Sequence, residues 1–198
     1  MLIGFAPYKG GFREYATQKG YKEQLLIDAD LVRRSERDGS LYDTFRGRLM
    51  FTIRDRTGNI VGFSGRLMDK ENPKKLPKYI NTGDTAVYKK GEHLFAYFES
   101  ARQAAAVRTM NLVEGNPDAI RMHQIGVDNT VAPLGTAFTP KQIELIKKVA
   151  DTVIIIGDMD DAGQKAVVKN AETMLREGLA VRVMEIKDNY KDLSHIHI

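Results

Sequence analysis

Three carboxylates directly follow apolar, strand-like runs in the second half of the sequence. Glu114 comes after residues 110–113, and Asp158 and Asp160 come after residues 152–157. In an open α/β sheet, the carboxyl ends of neighbouring parallel strands lie at the edge where ligands bind. Carboxylates with no cysteine or histidine beside them favour Mg²⁺ or Mn²⁺ over zinc. The spacing therefore predicts a metal site for phosphoryl chemistry, with Glu114, Asp158 and Asp160 as catalytic metal ligands.

Each acidic residue also has a simpler interpretation as a helix-capping group, because carboxylates at a helix start interact favourably with its dipole. Three carboxylates at two strand ends nevertheless favour a metal site over capping, because placing like charges close together costs free energy. Asp118 lies four residues after Glu114 and fits either role. Asp192 follows the last strand-like segment and is either a further metal ligand or a solvated residue.

Strand-like and helix-like segments alternate in this half of the chain, which predicts a parallel sheet with right-handed crossovers. The strands are expected near residues 110–114, 127–132, 152–157 and 180–186, and the helices near 117–125, 139–150 and 161–177. Asn116 and Thr139, each followed by proline, are expected to cap the first two helices. Gly178 is expected to end the third.

The first half is less regular and more basic. Residues 1–107 carry 19 Lys and Arg against 13 Asp and Glu, whereas residues 108–198 carry 11 against 13. Residues 11–36 are expected to be largely helical, and residues 47–67 to form a hairpin with its turn at 55–59. Arginines that alternate on this hairpin suit phosphate binding, although a solvated strand edge explains them equally well.

Composition narrows the classes of protein. The chain has 198 residues, enough for one large or two small domains, and no cysteine, which excludes disulfides and argues against zinc in this chain. No apolar run reaches the ~20 residues of a membrane span, and the first residues lack the basic-then-apolar pattern of a signal peptide. We therefore expect no membrane association and a cytoplasmic location.

The acidic motifs resemble the Toprim domain. They are Glu114-Gly115-x-x-Asp118 and Gly157-Asp158-x-Asp160-x-Ala162-Gly163. Further motifs are similar to the catalytic core of DnaG-type bacterial primases, in the same order along the chain: Ile3-Gly4-Phe5-Ala6-Pro7, Tyr42-Asp43-x-Phe45-Arg46-x-Arg48, Gly62-Phe63-x-Gly65-Arg66, Pro77-Lys78-Tyr79-Ile80-Asn81, Lys90-Gly91 and Leu134-Gly135-Thr136-Ala137.

The resemblance implies an α/β protein with an α+β basic subdomain at 1–107 and a Rossmann-like Toprim subdomain, with a mainly parallel sheet, at 108–198. It implies DNA primase activity with Mg²⁺ or Mn²⁺, on a single-stranded DNA template with ribonucleoside triphosphates. It further implies a monomer that binds a replicative helicase through another domain. Metal-binding positions match Glu114, Asp118, Asp158, Asp160 and Asp192. Nucleic-acid and nucleotide-binding positions match Arg46, Arg48, Arg66, Lys78, Asn81 and Lys90.

Two alternatives stay open. A Toprim nuclease would use the same metals to cleave DNA, although the basic motifs argue against it. A catalytically weakened single-stranded-DNA-binding module of a mobile element is the other alternative. Ser194 stands where the family usually has a second Asp, and this departure slightly favours the weakened module.

Overall fold

The computed structural model describes residues 1–69, 75–135, 138–157 and 161–184. By its internal contacts the chain divides into two compact units. The first comprises residues 1–53 and 60–90, and the second comprises residues 54–59 and 91–198.

The first unit combines an antiparallel sheet with two short helices. Its elements are β1 (Ile3–Ala6), α1 (Phe12–Gln18), α2 (Glu23–Asp28), β2 (Val32–Arg34), β3 (Leu41–Asp43), β4 (Arg48–Arg54), β5 (Ile60–Leu67) and β6 (Tyr79–Asn81). The four-stranded sheet has the order β1-β4-β5-β6, and β2 pairs with β3 separately. Asp43 holds the start of α1, because its carboxylate accepts hydrogen bonds from the backbone N–H groups of Phe12 and Arg13, both at 2.9 Å.

The second unit carries the alternating elements. A 3-10 turn at Lys90–Glu92 precedes β7 (Leu94–Phe95), α3 (Tyr97–Val107), β8 (Thr109–Leu112), α4 (Asn116–Gln124), β9 (Thr130–Pro133), α5 (Pro140–Lys147), β10 (Thr152–Ile156), α6 (Asp161–Arg176) and β11 (Ala180–Met184). The sheet order is β11-β10-β8-β9-β7, with all pairs parallel except β7 with β9. The predicted α/β fold with a mainly parallel sheet is therefore confirmed.

Buried apolar side chains hold this sheet between its helices. Val153 and Ile155 of β10 and Leu112 of β8 belong to one core cluster with Ile143 and Ile146 of α5. The unbroken Val-Ile-Ile-Ile run of β10 suits a central parallel strand, which is covered on both faces. Burial of apolar surface stabilises the fold by ~25 cal/mol per Å². The packing of these side chains therefore holds the strand ends in place.

Local signals account for most of the helix ends. Thr139 Oγ1 accepts the Gln142 N–H at 3.2 Å, and Gln142 Oε1 accepts the Thr139 N–H at 3.0 Å, which is the predicted cap in its reciprocal form. Gly178 follows α6 at φ 85°, as predicted. Asn116 is not the cap that the sequence suggested, since α4 begins with Asn116 itself and Gly115 precedes it.

The expected helical stretch over 11–36 is wrong in its last part. Asp30 adopts a left-handed conformation at φ 53°, which turns the chain after α2. Its carboxylate accepts two hydrogen bonds from the Arg33 guanidinium, both at 2.6 Å, and one from the Gly83 N–H. Val32 is then buried in strand β2. The predicted 55–59 turn forms, because the Asp55 carboxylate accepts hydrogen bonds from Thr57 and Asn59.

The part of the chain that the structure describes contains no helix long and apolar enough to cross a membrane.

Candidate functional site

Glu114 stands at the carboxyl edge of the parallel sheet, as predicted. The register of β8 and β10 pairs Leu112 with Ile155, so the chain beyond each strand brings Glu114 level with Gly157. Glu114 Oε1 lies only 3.4 Å from the position that a β-carbon on Gly157 would occupy. The carboxylate is exposed and sits directly beside the residue that precedes Asp158.

Gly157 is needed at this edge for a steric reason. A β-carbon there would lie 2.3 Å from Val167 Cγ2 of α6, far inside van der Waals contact. The absence of a side chain lets α6 pack closely over the end of β10. Gly157 itself also lies next to the Glu114 carboxylate.

A cavity of about 360 Å³ opens at the same edge. Its walls come from the ends of β8, β9 and β10 and from α6, and they include Glu114, Pro133, Gly135, Gly157 and Asn170. Open α/β sheets bind their ligands at this position.

Asp118 supports the turn that carries Glu114. Its Oδ2 atom accepts a hydrogen bond from the Gly115 N–H at 3.1 Å, which ties the first turn of α4 to the chain leaving β8. A carboxylate in the first helical turn also suits the dipole. Stabilisation of the helix and support of the metal site, the two roles that the sequence leaves open for Asp118, are both compatible with this geometry.

Asp158, Asp160 and Asp192 lie outside the described residues, as do Thr136, Ala137 and Ser194. Within residues 1–69, 75–135, 138–157 and 161–184, no group of three or more His, Asp or Glu side chains lies close enough to hold a metal. The three-carboxylate site therefore stays a prediction.

Gly157→Ala is expected to lower the free energy of unfolding by ~2 kcal/mol, because the new methyl group must displace α6 from the sheet. Urea unfolding followed by circular dichroism measures the loss. Gly4→Ala is the matched control, since a β-carbon at Gly4 meets nothing within 4 Å. In Gly157→Ala/Val167→Ala the collision is removed, and the double variant should be more stable than the sum of the single losses. Simple additivity would contradict a steric cause.

Arg48 lies inside the first unit and not on its surface. Only 4 % of Arg48 is exposed, and burial lowers the pKa of its guanidinium. Nη1 donates to the carbonyl oxygens of Gly65 at 3.0 Å and Lys78 at 3.3 Å, and Nη2 donates to that of Pro77 at 3.0 Å. Arg48 thus ties the chain before β6 to β4 and β5, and its direct contact with nucleic acid stays a prediction.

The strand pair β5–β6 carries two further residues that are predicted to bind nucleic acid or nucleotides, Arg66 and Asn81. Arg66 is opposite Tyr79, and Ser64 is opposite Asn81. Side chains of directly paired residues share a face, and successive residues alternate, so Arg66 and Asn81 lie on the same face of this sheet. Lys78, which directly precedes β6, is exposed.

Arg46 and Lys90 are both exposed in the first unit. The Arg46 guanidinium lies over the Tyr42 ring, with 5.1 Å from Cζ to the ring centroid. The backbone N–H of Lys90 donates to Asp84 Oδ1 at 3.2 Å, which orders the chain that carries it. Their roles in binding nucleotides or DNA stay predictions.

One buried polar cluster was not predicted from the sequence. His123 Nε2 lies 2.9 Å from the Thr130 carbonyl oxygen and 3.1 Å from the Ser100 hydroxyl, and Asp128 lies near His123 Nδ1. Ser100 donates to the same carbonyl at 2.7 Å and has no exposed surface. These hydrogen bonds hold α3 and α4 against β9. Because Ser100 is fully buried, no substrate can reach it, and the cluster is not a nucleophilic site.

Two family models together match most of the chain. The model for the DNA primase catalytic core, N-terminal domain, matches residues 2–101, and a Toprim-like model matches residues 111–197. A curated relative, a DNA primase of Deinococcus radiodurans, is 37 % identical over 93 % of this chain and 32 % of its own length. The chain thus spans about one third of the curated relatives that it matches.

Solved structures agree with these matches. A DNA primase domain from Pseudomonas aeruginosa has a TM-score of 0.84 and 32 % identity, over 98 % of this chain and 60 % of that one. A DnaG primase catalytic domain bound to single-stranded DNA has a TM-score of 0.80 at 32 % identity, with the same coverage of both chains.

Proposed function

Because this chain belongs to the family of DnaG-type DNA primase catalytic cores, we propose that it synthesises short RNA primers on single-stranded DNA by metal-dependent nucleotidyl transfer. The observation that carries the proposal is the position of Glu114 at the carboxyl edge of the parallel sheet, beside Gly157 and the start of the Gly157-Asp158-x-Asp160 motif. Support for a DNA template comes from the related catalytic domain that binds single-stranded DNA.

In this proposal Glu114, Asp158 and Asp160 hold Mg²⁺ or Mn²⁺, and Asp118 and Asp192 are further acidic positions around the site. The donor set consists of carboxylates, and the exposed Glu114 carboxylate borders an open cavity, which fits a hard divalent cation. Cations held there would neutralise the triphosphate and favour attack of a ribose 3′-hydroxyl on its α-phosphate. That attack would break the bond between the α- and β-phosphates and release pyrophosphate.

The chain's own residues supply binding and orientation. Arg46, Arg66, Lys78, Asn81 and Lys90 are proposed to bind the template and the incoming nucleotides, with guanidinium and ammonium groups directed at phosphates. Arg48 is proposed to contribute through the backbone of Pro77 and Lys78, which it holds in place. Positive charge in the first half also attracts the polyanionic substrates.

Several wider features belong to the same proposal. The functional division is placed at 1–107 and 108–198, with the basic subdomain first and the metal-binding Toprim subdomain second. The partners are single-stranded DNA, ribonucleoside triphosphates and a replicative helicase, which is met through a domain outside these 198 residues. We expect a monomer that acts in the cytoplasm and needs no zinc in this chain.

The test of function is incubation of the chain with single-stranded DNA, the four ribonucleoside triphosphates and Mn²⁺ or Mg²⁺. Labelled RNA products that require both template and metal support the primase. Metal-dependent shortening of the DNA without nucleotides would instead identify the Toprim nuclease. DNA binding without any product or metal dependence would identify a module that has lost catalysis.

A further inference from the structure

We infer that Phe5, Tyr8 and Arg46 form a stacking site for an unpaired base of the single-stranded template, an inference that rests on the proposed function. The three residues lie in the first unit, on β1, on the turn after it and on the chain before β4. Nothing in the catalytic proposal uses the two aromatic rings.

The first observation is the exposure of two neighbouring rings. Phe5 exposes 51 % of its surface and Tyr8 59 %. Their centroids are 5.7 Å apart, with the ring planes at 62° in an edge-to-face arrangement. Clustered exposed aromatic rings mark binding surfaces, since they leave apolar area in water.

The second observation is that the Tyr8 ring is held against backbone. A β-carbon on Gly47 would lie 2.5 Å from Tyr8 Cδ1, so the ring lies directly on this glycine. Gly47 has φ 61°, and its N–H donates to the Pro7 carbonyl oxygen at 3.3 Å. The ring position is therefore set before any ligand arrives, which lowers the entropic cost of binding.

The third observation is positive charge close to the turn that carries Tyr8. Arg46 directly precedes Gly47, and its Cδ atom lies 3.6 Å from the position of a β-carbon on Gly10, in the turn that carries Tyr8. Among the residues that the structure describes, Arg46 and Lys9 of the same turn make no ion pair. Both residues are exposed. The Arg46 guanidinium lies over the Tyr42 ring, a position from which it still reaches solvent and a phosphate.

A recess borders the Phe5 ring. It measures about 310 Å³, and its mostly apolar walls include Phe5, Pro7, Phe12, Phe45 and Met50. Asp43 also borders it, but the carboxylate is engaged at the start of α1.

These features favour a nucleic-acid strand as the occupant. Every base presents a π-face that stacks on an aromatic ring without regard to sequence, and cations along the path hold the backbone. An apolar protein segment would use the rings and the recess but would leave Arg46 and Lys9 without a role. Single-stranded DNA uses both the aromatic and the cationic parts.

The test compares two strands of equal length by fluorescence anisotropy, oligo-dT and an abasic deoxyribose-phosphate strand. Wild-type chain should bind oligo-dT more tightly. Phe5→Leu and Tyr8→Leu should each weaken oligo-dT binding about tenfold, with little effect on the abasic strand. Tyr21→Leu, which removes a ring of 56 % exposure from the connection between α1 and α2, is the matched control and should bind like wild type.

Salt dependence separates stacking from charge. Arg46→Gln should reduce the slope of log affinity against log salt by about one, whereas the leucine variants should keep the wild-type slope. Circular dichroism checks folding, and Phe5→Leu keeps the test valid if Tyr8→Leu disturbs the turn.

Two outcomes would overturn the inference at different levels. Tight oligo-dT binding that Phe5→Leu and Tyr8→Leu leave unchanged overturns the stacking site alone, and the rings would then suit a protein partner. Failure of wild-type chain to bind either strand overturns the template-binding part of the proposed function, and the stacking site with it.

Discussion

Glu114→Gln is expected to lower template-dependent ribonucleotide incorporation at least about 100-fold, the scale seen when a transition-state-stabilising group is removed. Glutamine keeps the size and shape of the side chain but removes its negative charge, which a divalent cation needs from its ligands. The exposed position of Glu114 means that no core packing is lost. Product formation per unit time in the primer assay measures the effect.

The control for this prediction is a glutamate that is exposed elsewhere on the same unit. Glu172→Gln removes the same charge from the surface of α6, where the carboxylate pairs only loosely with Arg176 at 3.8 Å. It should incorporate nucleotides at the wild-type rate. Full activity in Glu114→Gln, with both variants folded, would remove Glu114 from the catalytic set.

Arg48→Ala is expected to lower the free energy of unfolding by ~3 kcal/mol. The change removes the Arg48 donors from the carbonyl oxygens of Gly65, Pro77 and Lys78, and it leaves a space where the buried stem lay. The Lys78 oxygen keeps its hydrogen bond from the Leu67 N–H. Urea unfolding by circular dichroism gives the loss. Nucleotide binding should weaken as well, because Lys78 and Asn81 follow the segment that is released.

Arg46→Ala and Arg48→Lys sharpen the interpretation. Arg46 belongs to the same Arg-x-Arg motif but is exposed, so its removal should change stability by less than about 0.5 kcal/mol. Lysine at position 48 keeps the charge but lacks the planar fork that reaches three carbonyls, so most of the loss should persist. A fully stable Arg48→Lys that still fails to bind nucleotides would instead show that position 48 acts by contact.

The second half of the chain shows why pattern and periodicity predict a parallel sheet well. Local sequence is sufficient to predict the apolar strand β10 and the Thr139-Pro140 start of α5, because burial and capping there depend on nearby residues. The strand ends follow from the same pattern, which therefore predicts the edge of the sheet at which Glu114 lies. Asn116 failed as a cap because Asp118 reaches back to the Gly115 N–H, a choice between near neighbours that composition does not decide.

The first half shows what a linear pattern cannot supply. Arg46 and Arg48 alternate in sequence, so the pattern predicts the same role for both. In the structure Arg46 is exposed over the Tyr42 ring, whereas Arg48 is buried and donates to three carbonyl oxygens. The difference depends on Gly65 and Lys78, which are distant in sequence. Tertiary packing also determines the contact of Tyr8 with Gly47 and the close approach of Val167 to Gly157. The sequence shows the glycines of these motifs, but it does not show that Tyr8 and Val167 pack against them.

The central claim is that Glu114 and the carboxylates after β10 hold divalent metal at the carboxyl edge of the sheet. The most direct test is a calorimetric titration of the chain with Mn²⁺ in the presence of a ribonucleoside triphosphate. Wild type and Glu172→Gln are predicted to bind, whereas Glu114→Gln and Asp158→Asn/Asp160→Asn should lose the heat of binding while they remain folded. Equal Mn²⁺ binding by all four proteins, or none by wild type, would contradict the claim.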